Sequence, residues 1–161
     1  MSPNRFESLK ARQRSERDSY SEALGLRVHR SLSWLQRAEQ ESDDLDARFI
    51  FLWIAFNAAY ASPNLREDGF TEQAVFKRFL ADVLRLDTHN QLTNLVWTQF
   101  PHAIRILLDN PYVFQPFWDA QAHGASSLDW QVSFDTAKQR AHHALGQGDT
   151  LTILMTVLNR L

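Results

Sequence analysis

The sequence predicts an all-α protein, a helical bundle of about five to seven helices. Three observations lead there. Apolar residues recur at three- and four-residue intervals through most of the chain, and no segment alternates with period two between turn signals. Only 5 Gly and 5 Pro punctuate 161 residues, so the elements are long. The 11 Phe, 5 Trp and 3 Tyr supply the bulk of a full core, and a chain of this length can remove roughly 70% of its unfolded surface from water.

Residues 1–14 are polar and carry Arg5, Lys10, Arg12 and Arg14, which reads as a flexible N-terminal arm; one helical domain is expected over 15–161. From about Ser15 to Gln40, Leu24, Val28, Leu32 and Leu35 repeat at helical spacing, with Tyr20 and Ala38 extending the stripe. Ser42 or Asp43 can cap the next helix, where Asp43, Asp44 and Asp46 place negative charge at the positive end of the helix dipole. That helix, through Phe49, Leu52, Trp53, Phe56 and Tyr60, is apolar almost all round, so it is expected to be the most buried element. "SPNLREDG" then reads as a loop broken by Pro63 and Asp68-Gly69. Thr71 can cap a helix whose buried face is Val75, Phe76, Phe79, Leu80, Val83 and Leu84. Asn90 to Leu108 reads as one or two helices broken near Phe100-Pro101. "DNPYVFQPFW" has two prolines in six residues and should be irregular with one short turn. Leu128 to Leu145 gives another helix, ended by "GQGD". Asp149 caps the last one, through Leu151, Leu154, Leu158 and Leu161.

Composition narrows function. There is no cysteine, hence no thiolate metal site, no cysteine nucleophile and no disulfide. The net charge of −2 gives no global field toward nucleic acid or anionic lipid. No apolar run is long enough to span a bilayer, and a cytoplasmic protein is expected. No dinucleotide loop, P-loop, HExxH or GxSxG occurs, so no cofactor and no metal site are expected. His142 and His143 fall near a helix C-terminus, where the dipole favours cationic histidine. Asn57 stands inside the most apolar helix and must find hydrogen-bond partners if buried, in a structural network or as a contact residue. His102 and Arg105 lie three apart on one predicted helix, the spacing at which side chains can meet. Arg48, with Asp44 and Asn57, would belong to any enzyme site of another class, but no acid–base pair is evident among them.

"RFIFLWIAFNAAYA", Arg48 to Ala61, resembles a recurring helix of bacterial HEPN-domain proteins, and "NPYVFQPFW", Asn110 to Trp118, resembles a second landmark of one branch of that family. The match runs loosely from Ser31 to the end. The resemblance implies an all-α HEPN-like bundle that pairs into a homodimer. It also implies a place in RNA metabolism or defence, with RNA or an antitoxin-like protein as a further partner. Many such proteins are metal-independent ribonucleases whose chemistry uses an Arg followed, after four to six residues, by a His. No histidine here has an arginine at that distance; Arg85 and His89 come nearest with three residues between. By this alignment the motif arginine lies beyond Arg160. The resemblance therefore implies either the first part of a longer protein or a short relative, non-catalytic in this form; from the residues themselves, Arg48, Asn57, His102 and Arg105 are the candidate binding residues. The alternative is a helical interaction or dimerisation module without RNA activity.

Overall fold

A computed structural model describes residues 5–60, 71–123 and 127–160. All regular structure among them is helical, with nine α-helices and no strand. The all-α expectation holds. The count exceeds five to seven because short stretches expected to be irregular are helical too. The chain divides into two compact units, Met1–Glu72 and Gln73–Leu161, where a single domain over 15–161 was expected. No helix among the described residues is long and apolar enough to cross a membrane.

The first unit holds α1 (Arg5–Glu16), α2 (Glu22–Gln40) and α3 (Leu45–Tyr60). The flexible arm expected over 1–14 is, from Arg5, a helix that buries Phe6 and Gln13. Its start is held by the Phe6 N–H, which donates to Glu39 Oε2 at 3.3 Å. The helix expected from Ser15 begins later, because the Ser21 hydroxyl accepts the Leu24 N–H at 3.3 Å and caps α2 there. Asp44, rather than Ser42 or Asp43, caps α3: its Oδ1 accepts the Ala47 N–H at 2.9 Å. α2 and α3 run antiparallel. Ser31 Oγ donates to the Ala55 carbonyl at 2.9 Å, Trp34 stacks on Phe51 at 5.6 Å, and Arg37 lies over the same Phe51 ring at 5.7 Å.

α3 is not the most buried element. Only Ala55 is buried on it, while Leu45, Phe49, Ile50 and Leu52 are 71, 46, 53 and 41% exposed. The reason is the number of neighbours. Within its unit α3 packs chiefly on α2. One neighbouring helix covers one side, so a helix that is apolar all round leaves apolar surface outside. The "SPNLREDG" loop lies outside the described residues.

The second unit opens with α4 (Glu72–Leu86), which starts directly after Thr71 and buries Phe76 and Leu80. α5 (Gln91–Asn94) is a single turn that runs through a π-helical turn at Leu95–Gln99 into α6 (Pro101–Asp109), so the break expected at Phe100-Pro101 is present. The proline-rich stretch is more regular than expected: a 3₁₀ turn at Pro111–Val113, then α7 (Gln115–His123). Pro116 is tolerated at the second position of α7, where a missing N–H leaves no helical bond unmade. α8 (Ser127–Gln147) and α9 (Thr150–Leu158) follow. The core joins Val96, Ile104, Leu108, Ala141, Ala144 and Ile153, with Leu108 and Ile153 fully inaccessible. Asp149 caps α9 as expected, its carboxylate accepting the Thr152 N–H at 3.0 Å and the Thr152 hydroxyl at 2.6 Å. The expected last apolar position, Leu161, lies outside the described residues.

Candidate functional site

The four residues singled out in the sequence do not converge. Arg48 and Asn57 stand on α3 in the first unit, His102 and Arg105 on α6 in the second. Asn57 is half-buried, and its Nδ2 donates to the Trp53 carbonyl one turn back at 2.7 Å, which is the structural use of such a side chain. His102 and Arg105 are both exposed, with no hydrogen bond between them.

The structure instead gathers charge around Asp109, four residues after Arg105 on α6. Asp109 Oδ1 lies 3.0 Å from His142 Nε2 and 3.0 Å from Lys138 Nζ, both on one face of α8. An ionised carboxylate only accepts hydrogen bonds, so Nε2 carries the proton. The His142 contact first, and Lys138 next, hold the Asp109 carboxyl below its ordinary pKa. Beside them sits Arg160. Its Nη1 donates to the Leu107 and Leu108 carbonyls at 3.0 and 2.7 Å, closing the C-terminal end of α6. Its guanidinium lies over Phe114 and Phe134, 5.7 and 5.6 Å from the ring centres, and burial pushes its pKa down. So the helix-end role expected of His142 falls to an ion cluster, because α8 continues past it to Gln147. Nothing in the spacing marks a partner 33 residues away. The one sequence signal is Lys138 and His142 at i, i+4, two donors turned the same way.

Chemically the cluster is modest. Asp109, His142 and Lys138 are each about 40% exposed, so water competes for every contact. The Asp109 carboxylate offsets the charge of Lys138. No group of three metal-ligating side chains occurs among the described residues. The arrangement ties α6 to α8.

The other candidate is larger and apolar. On α3, Leu45, Phe49, Leu52 and Phe56 follow one another at spacings of four, three and four, which puts them in a single stripe. The first three are among the most exposed large apolar residues of their unit. Advancing about 100° per residue places Arg48 on one flank of the stripe and Asp46 on the other, with Ile50 well off it. No protein-family model matches the chain, and no curated protein and no solved structure is significantly similar to it.

Proposed function

We propose that the chain is a helical association module that works by offering the outer side of α3 to another helix. The observation that carries this is the exposure of Leu45, Phe49 and Leu52 in one stripe. Contiguous exposed apolar surface is the usual mark of an interaction site. Of the partners the sequence suggests, a second copy and an antitoxin-like protein fit an apolar face better than RNA, which is held mainly through phosphates by cationic side chains. The test uses the absence of cysteine. A Leu52→Cys variant of the whole chain, kept dilute, should react with a thiol reagent nearly as fast as a free thiol. Slow labelling in a dilute monomer would mean that the chain covers α3 itself, and the proposal fails.

A HEPN-like protein of RNA metabolism or defence, non-catalytic in this form, is the second reading. It is favoured by Arg48–Ala61 and Asn110–Trp118, and it agrees with the absence of an Arg–His pair at the required spacing. Purified protein incubated with single-stranded and structured RNA in EDTA should leave both intact. Cleavage that disappears in His102→Ala or in His142→Ala would overturn the non-catalytic assignment.

A further inference from the structure

Between Arg105 and Lys138 the chain has no lysine or arginine, yet Asp109, Asp119, Asp129 and Asp135 and six aromatic residues all fall there. Two of those rings are open to solvent: Tyr112 is 64% and Trp118 50% exposed. Both flank Phe117, whose ring stands at 86° to Tyr112 and 84° to Trp118, with centres 5.3 and 5.0 Å away. The pair is fixed in place. Trp118 Nε1 donates to the Tyr112 carbonyl at 2.8 Å, and the Tyr112 N–H donates to Asn110 Oδ1 at 2.9 Å. Rings already held lose little side-chain freedom when something docks on them. We propose that this aromatic corner of the second unit, Tyr112, Phe117 and Trp118, binds an arginine side chain of a partner peptide. It is a different surface from the outer side of α3 and does not depend on it.

Charge selects the occupant. Asp119 follows Trp118, and Asp129 precedes Trp130, whose ring meets Phe117 at 4.9 Å. Both carboxylates are exposed, and neither forms an ion pair among the described residues. A cation is attracted to the face of a tryptophan or tyrosine ring and to such carboxylates at once. A nucleic acid would stack on the same rings but would bring phosphates against unpaired carboxylates. Guanidinium suits the corner better than ammonium. It is planar and weakly hydrated, so it can lie on a ring while its fork reaches a carboxylate, whereas ammonium is a strongly hydrated point charge. The same segment already takes an arginine on its inner rings, where Arg160 lies over Phe114 and Phe134 at 5.7 and 5.6 Å. Among the described residues no arginine or lysine covers Tyr112, Phe117 or Trp118 in this way.

The experiment is a titration of the whole chain, followed by NMR at the Tyr112 amide and the Trp118 indole N–H. The probe is a capped peptide of alternating glycine and arginine. Two controls accompany it: the same peptide with neutral, isosteric citrulline for arginine, and a single-stranded oligothymidylate. The arginine peptide should shift both signals to saturation, and the two controls should not. Trp118→Leu should weaken binding about 2- to 30-fold, the range spanned by one ring–cation contact. Asp119→Asn and Asp129→Asn should each weaken it about 1.5- to 5-fold, and added salt should weaken it further. The aspartate variants change only exposed side chains, so their result stands even if Trp118→Leu unfolds. Equal binding of the citrulline peptide would show that shape and not charge is read, and would overturn the proposal. So would saturable shifts with the oligothymidylate, arginine-peptide binding indifferent to both aspartate variants, or no shift at Tyr112 and Trp118 with the arginine peptide.

Discussion

Arg160→Ala should loosen the second unit by about 4–5 kcal/mol. The side chain does two jobs at once. Its Nη1 closes two carbonyls at the end of α6, at 3.0 and 2.7 Å, and hydrogen bonds to a charged donor contribute roughly 1.5–3 kcal/mol each. Leu107 is only partly buried, so water can replace the arginine at its carbonyl, and the lower part of that range is used. The guanidinium also covers two aromatic faces, Phe114 and Phe134, at about 0.5–1 kcal/mol each in a half-exposed setting. Arg160→Lys keeps the charge but loses the planar fork, so it should recover less than half of the loss. The assay is amide hydrogen exchange at Ile104–Asp109 and in α9, which reports on the second unit alone. The variant should raise exchange there and leave α2 and α3 unchanged. A loss below about 0.5 kcal/mol in α6, small beside the hydrogen-bond range used here, would show that the two carbonyl contacts are not held in solution.

Leu108→Ala, at a fully inaccessible position, should cost about 2–5 kcal/mol, while Trp53→Ala on half-open α3 should cost about 1–2 kcal/mol; urea melts giving the reverse order would refute the packing described. Asp149→Ala removes the cap of α9 and should cost about 0.5–2 kcal/mol, read as faster exchange in its first turn. Asp109 and Asp149 both have folded pKa values below the ordinary 3.8. Their contribution is therefore present above that value and is lost as pH falls through the lower folded values. An acid melt of Asp109→Asn should show a shallower loss of stability below about pH 4 than the parent, and an identical acid limb would refute the ion cluster.

What the sequence makes legible follows from how local each feature is. α2 is visible in Leu24, Val28, Leu32 and Leu35, and α9 in Asp149 followed by Leu151 and Leu154, because cap and periodicity act within a turn or two. The start of α2 is less legible, because Tyr20 continues the apolar spacing while the Ser21 hydroxyl caps the helix one residue later. The Asp109 cluster is not legible, since its members are brought together only when α6 packs on α8. Arg160 is the sharper case. Its place in the sequence gives it no role, yet folding seats it over two rings that belong to other helices or loops.

α3 shows where sequence reasoning overreaches and what corrects it. An apolar perimeter measures how much surface a helix can bury, whereas burial also depends on how many neighbours arrive. Here α2 covers the side that carries Phe51 and Ala55, and the residues that read as core from the pattern, Phe49 and Leu52, are left on the outer side. A chain gains nothing from holding such residues in water, where each exposed large side chain forgoes roughly 1.5–3 kcal/mol of burial. On α3 three such residues, Leu45, Phe49 and Leu52, lie on the same outer side, so the burial they forgo is concentrated in one place.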